Sequence, residues 1–264
     1  MARSSRVMLL WVKSHASNGL QLTRALLREV CSYLSCLPCL VSVSASSLSY
    51  FNFSLQVLEP AIALSRPLVH CGSAWTVINH FQLIFCGGFC GSQYERGTSL
   101  KAAYEVHRSG RVRQLRDMKF ARDSCGLVLW RKAVYAFGSL NGEGRSKYER
   151  LLLEDCQDWK LLGSMADPRA NFRPVVWLQA IYLCGGFFTD SIEVFDGRTL
   201  RLLPCHLPEV DDTAVCVKGN SLLSHACSSR PSRLEISDHL RERKVPTGSS
   251  IWVGCTSLYL SHEP

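Results

Sequence analysis

The sequence predicts an all-β chain whose short antiparallel strands group into repeated four-stranded units, stacked as a β-propeller. Three observations carry this expectation. One is a composition that suits a folded chain, another a stretch that repeats without a gap, and the third a strand-and-turn pattern that recurs inside each repeat. Of 264 residues, 47% are hydrophobic and 20% charged, which excludes a largely disordered chain. A chain of this length can bury a core without disulfide or metal staples.

The repeat is read by setting residues 112–138 beside 159–185. Leu115 matches Leu162, Met118 matches Met165, Arg122 matches Arg169 and Trp130 matches Trp177, each pair 47 residues apart. Val134-Tyr135 then matches Ile181-Tyr182, and Gly138 matches Gly185. Weaker copies flank these two. LIFCGG at 83–88 parallels IYLCGG at 181–186, while Arg66 and Trp75 echo Arg122 and Trp130. Ser221-Leu222-Leu223, and Trp252 followed by Leu258-Tyr259-Leu260, read as degenerate copies further on.

Each unit reads as four strands in order. In the last clear unit, 173–178 is an apolar run and 180–184 a second, fully buried one that ends at Gly185-Gly186. Residues 191–195 are rich in β-branched and aromatic side chains, Asp196-Gly197 is a hairpin signal, and 200–203 completes the unit. The same order appears at 125–130, 133–137, 150–154 and 159–162. It appears again across 83–116, where Ser109-Gly110 makes the last hairpin. A unit of this size cannot bury both faces alone, so neighbours must stack, which is propeller architecture. About five blades are expected, one closed by strands from both chain ends, with an incomplete ring as the alternative.

This pattern resembles the kelch repeat over roughly residues 64–260, most strongly in 83–204. The residues carrying the resemblance are Gly87-Gly88, Gly185-Gly186, Arg122, Arg169, Tyr104, Phe195 and Trp159. The chain departs from the pattern where Ser139 follows Gly138, where Leu152-Leu153 replace an aromatic, and where Val112 and Leu200 stand as counterparts of Trp159. The repeated Gly, Arg and Trp residues are expected to build blades and not to bind ligands. The resemblance implies that partners bind loops at one rim of the propeller. Those loops are 89–98, 140–147 and 187–190, and Tyr94, Arg96, Asn141, Arg145 and Phe188 are the side chains expected to meet a partner.

Before the propeller, assigned to 47–264, residues 1–46 are expected to form a helical segment. Leu22, Leu26, Val30, Tyr33 and Leu34 lie at helical spacing, with Asn18 placed to cap and Pro38 beyond the end. LTRALLREVCSYL is similar to the first helix of an F-box, although Thr23 stands where Pro is usual and the Ser-rich run 43–50 is a poor second helix. A plain packing helix is the competing reading. Residues 47–58 alternate in near period-two fashion and read as a strand.

Thirty Lys and Arg against 22 Asp and Glu give a net charge of +8. The densest basic stretch runs from Arg108 to Arg122, irregularly spaced and with Phe120 its single aromatic, short of the interleaved aromatics of a stacking platform, so nucleic acid is not an expected partner. Thirteen cysteines in no framework spacing suit a reducing, cytoplasmic setting. Cys36 and Cys39 lack the second pair that a zinc site needs. Residues 30–58 carry no formal charge, but eight serines and Pro38 interrupt them, so no membrane span is expected.

Copper chemistry of the galactose-oxidase kind needs clustered Tyr and His, whereas the eight histidines are scattered singly. SLNGEGRS at 139–146 resembles a phosphate-binding loop only in Gly144 and Ser146, and it lies between two strands instead of opening a helix. No cofactor, metal or enzymatic activity is expected. The expected function is a protein-binding module. The alternative is the substrate receptor of a cullin-type ubiquitin ligase, its F-box-like helix docking a cullin-ligase adaptor.

Overall fold

The structure is a computed structural model that describes residues 39–43, 47–52, 57–58, 62–65, 72–79, 82–90, 98–154, 158–207, 214–218 and 221–225. The helix expected over 18–34, the Trp252 and Leu258–Leu260 copies, and the fifth blade's closure lie outside these residues. Within them the chain is all-β.

Strands β1 (Cys39–Val43), β2 (Ser47–Asn52), β3 (Val57–Leu58) and β4 (Ile62–Ala63) form one antiparallel sheet, with β2 paired to the other three. This corrects the end of the expected helical segment: Cys39–Val43 is a strand, paired with β2 from Cys39↔Asn52 to Val43↔Leu48, and the described residues of the run 43–50 lie in these two strands. The boundary at 46 therefore falls between two paired strands. The physical reason is the alternation of Ser with Val, Leu and Tyr, a period-two pattern that fits a pleated strand and no helix face.

Three complete blades follow. The first is β5 (Ala74–Asn79), β6 (Gln82–Cys86), β9 (Ala103–His107) and β10 (Val112–Gln114), with a small hairpin of β7 (Phe89–Cys90) and β8 (Thr98–Ser99) inside its long loop. The second is β11 (Gly126–Trp130), β12 (Ala133–Phe137), β13 (Lys147–Leu152) and β14 (Lys160–Ser164). The third is β15 (Val175–Trp177), β16 (Ala180–Cys184), β17 (Ser191–Phe195) and β18 (Leu200–His206). A hairpin of β19 (Ala214–Lys218) and β20 (Ser221–His225) comes next, placing 221–223 in a strand as expected.

Each blade is a meander, first strand to fourth in spatial order. Its first strand neighbours the first strand of the next blade, β5 with β11, β11 with β15 and β15 with β19, so these strands face the axis and the fourth strands form the outer edges. Two-residue turns with both residues left-handed join first to second strands at Arg131-Lys132 and Leu178-Gln179. Trp75 lies near the start of β5, opposite Phe85, whereas Trp130 and Trp177 end their strands. The expected echo of Trp130 is therefore not in register.

The core lies between blades. Ile84, Cys86, Leu115 and Met118 of the first blade meet Leu127, Val134, Leu151 and Trp159 of the second. The second blade's other face presents Trp130, Tyr135, Phe137 and Tyr148 to Phe172, Ile181, Leu183 and Phe195. Trp159 is 1% exposed and donates its indole N–H to the Arg116 carbonyl at 3.1 Å, tying the second blade's fourth strand to the connection leaving the first.

Candidate binding rim

Second strands run toward the same rim that third strands leave. The loop ends 87–90 and 98–102 and the loops 138–146 and 185–190 therefore gather there, together with the connections 115–125 and 165–174 that carry the chain into the next blade. The described parts of the loops expected to hold a partner thus share one face. The turns 131–132, 178–179 and 196–199 lie on the opposite face.

The rim stands on two buried arginines. Arg122 is fully buried, donates from Nε to Glu149 Oε1 at 2.9 Å, and donates from Nη1 to the carbonyls of Gly138, Gly144 and Lys147 at 2.7, 3.0 and 2.9 Å. Its own carbonyl accepts from Gly88 N–H at 2.8 Å, so the residue joins the first blade to the second. Arg169 repeats this one blade on. Nε reaches Glu193 at 3.3 Å, Nη1 reaches the Gly185 and Ser191 carbonyls at 2.9 and 2.7 Å, and its carbonyl accepts from Ser139 N–H at 3.0 Å. The 47-residue period is the distance between these two ties.

Nearer the axis, backbone bonds run from blade to blade. Ser124 N–H donates to Gly72 C=O at 2.7 Å, and Asn171 N–H donates to Ser124 C=O at 2.7 Å. All three residues are left-handed, at φ 69°, 51° and 53° for Gly72, Ser124 and Asn171.

Three acidic side chains of the rim, Asp123, Asp167 and Asp190, are engaged within the chain, while Asp117 and Glu143 are exposed. Asp123, 3% exposed, accepts from Ser99 Oγ at 2.8 Å, Ser139 Oγ at 3.0 Å, and Asn141 N and Nδ2 at 3.2 and 3.1 Å. Ser139, the departure from a glycine pair, is thus a ligand for Asp123, and Asn141 is held by the same carboxylate. Asp167 accepts from Ser191 Oγ at 2.6 Å and Thr189 Oγ1 at 3.2 Å. Asp190 pairs with His206 Nδ1 at 2.9 Å.

Two expected partner residues from adjacent blades meet. The Arg145 guanidinium, leaving the short 3-10 turn Glu143–Ser146, lies 4.5 Å from the centroid of the Phe188 ring. Phe187 packs edge-on against Phe188 at 5.7 Å, and the two are 36% and 46% exposed. Phe188 sits at φ 83°, the third position of a turn closed by Thr189 N–H to Gly186 C=O at 3.3 Å, where Gly or Asn is usual. Bulky residues rarely adopt this conformation, and strained ones gather where function needs them. Sequence reading marked Phe188 but missed Phe187, whose exposure follows from the turn. Tyr94 and Arg96 lie outside the described residues.

The residues 139–146 form a strand-to-strand loop, and Arg145 turns outward onto Phe188. Cys125 and Cys184 are buried on strands beside the arginine ties, and burial pushes each thiol up to about 12. Both stay protonated, apolar packing groups at neutral pH. Among the described residues no group of three His, Cys, Asp or Glu could hold a metal ion, and no helix is long and apolar enough to cross a membrane.

Stacked four-stranded antiparallel sheets define a β-propeller-like protein. Comparison with solved structures bears on this directly: the chain is similar to the structure of YjhT, also β-propeller-like, with a TM-score of 0.56 over 71% of each chain at 10% identity. At that identity the likeness speaks for the fold alone. No family model matches the sequence, and no curated protein matches it.

Proposed function

We propose that this chain is a kelch-type propeller acting as a non-enzymatic binding module, which holds a protein partner against the rim built from 138–147 and 185–190. The observation that carries the reading is the junction of Arg145 and Phe188 across two blades. Their loops differ in sequence while the blades beneath them repeat. A conserved frame under divergent loops is the arrangement in which loops carry specificity. Exposed aromatic and Arg side chains are the residue types that anchor protein interfaces. The rim carboxylates Asp123, Glu149, Asp167 and Glu193 are engaged in ties within the chain, which favours recognition over acid–base chemistry at those groups.

The test places a photo-crosslinking phenylalanine at Phe187 in the full chain, and in a separate variant at Arg198, which is exposed in the β17–β18 turn of the opposite face. Crosslinks to a protein partner are expected from position 187 and not from 198. Crosslinks from 198 alone would overturn the reading.

A further inference from the structure

We infer that Asn141-Gly142 is a modification site, at which spontaneous ring closure turns the Asn141 amide into an acid and releases the loop 139–146 from Asp123. This holds whatever the rim binds. Both residues are exposed, ahead of the 3-10 turn Glu143–Ser146. Gly142 stands at φ 73° with open space around it, and its N–H donates no hydrogen bond to a described residue. A glycine nitrogen carries no neighbouring side chain to block its approach to the amide, and its backbone is the freest to bend toward it. The Gly142 nitrogen attacks the Asn141 side-chain carbonyl carbon, a C–N bond closes a cyclic imide, and the Cγ–Nδ2 bond breaks. Ammonia leaves with the proton shed by the Gly142 nitrogen. Water then adds to either imide carbonyl and opens the ring to aspartate or isoaspartate.

The carboxylate that the amide holds gives this chemistry a consequence. Asp123, 3% exposed, accepts from neutral donors: Ser99 Oγ, Ser139 Oγ, Asn141 N–H at 3.2 Å and Asn141 Nδ2 at 3.1 Å. Among the described residues no cation pairs with it, since the adjacent Arg122 is taken up by Glu149 and three backbone carbonyls. Conversion of Asn141 removes the Nδ2 donor and sets a second negative charge against the first, in a place where one is already buried. Isoaspartate also reroutes the chain through the former side chain, which displaces the turn that follows.

The test incubates the folded full chain at mildly alkaline pH and follows the peptide holding residue 141 by mass spectrometry. Acid at that position is expected, as both aspartate and isoaspartate. Retention of the amide over a time in which the urea-unfolded chain converts it would overturn the site, and aspartate alone would overturn the imide route. Asn141→Asp carries one product directly. Its hydrogen exchange in 139–146 should be faster than in wild type, with β12 and β16 unchanged as the sign of intact blades. Asp123→Asn combined with Asn141→Asp exchanges the two groups: the amide at 123 can still accept from Ser99 and Ser139 while it donates to the acid at 141. That paired variant should return to the wild-type rate. Wild-type exchange in Asn141→Asp, or no recovery in the paired variant, would overturn the release.

Discussion

A buried guanidinium is tolerated only when its donors and its charge are both answered. Arg169 meets this in full: Nε, Nη1 and Nη2 all donate, Nη2 to Ser191 Oγ at 2.6 Å and Glu193 at 3.1 Å. Arg122 occupies the same place with one difference. Its counterpart of Ser191 is Lys147, which offers a carbonyl but no hydroxyl inward, and Nη2 finds no partner among the described residues. Removing Arg169 leaves Glu193 charged and buried at 1% exposure. Arg169→Met should therefore lower stability by about 3–5 kcal/mol in a denaturant titration, and Arg169→Met with Glu193→Leu should recover most of it. A double variant no better than the single one would contradict this account of the tie. Both arginines were visible in the sequence as a repeated pair. Their acidic partners were not, because Glu149 and Glu193 are 44 residues apart where the arginines are 47 apart, an offset that hides the pairing from a fixed-period comparison.

Within an element, the sequence signals worked best where a strand is buried along nearly its whole length. The expected 133–137, 180–184 and 191–195 are the observed β12, β16 and β17. Edges did worse. β13 begins at Lys147, not at 150, because Lys147 already pairs with Ser164 of β14, and its carbonyl accepts from Arg122, a contact 25 residues away. β18 runs on to His206 through Pro204, which an outer edge strand tolerates because no neighbour needs its missing N–H. The glycine ending each second strand shows how an element is closed. At Gly138, φ is 69° and a Cβ would collide with the Arg169 carbonyl, whereas Gly142 has φ 73° and open space around it. Gly142→Ala should cost only the strain of its glycine-favouring backbone, φ 73° and ψ −167°, about 1–3 kcal/mol, while Gly138→Ala must in addition displace the next blade's connection. Thermal melts of the two variants check this, and equal losses would show that the close approach carries no weight.

At the scale of the whole molecule, stability is a sum of blades and the interfaces between them. The sheets are tied three ways: apolar faces between blades, arginines at the rim, and the backbone links through Gly72, Ser124 and Asn171 near the axis. Repetition made this architecture legible, since a core position recurring every 47 residues marks itself. The rim was legible only by contrast, as the places where the repeat lapses. What no sequence pattern could give was which of those lapses meet in space. Arg145 and Phe188 lie 43 residues apart and touch only because adjacent blades stack in this register.

The measurement that bears most directly on the central claim is hydrogen exchange across the full chain, with and without the protein captured at position 187. Slowed exchange in 139–146 and 186–190, with the turns 131–132, 178–179 and 196–199 unchanged, is the predicted result. Slowed exchange confined to those opposite turns would contradict the assignment of this rim as the binding face.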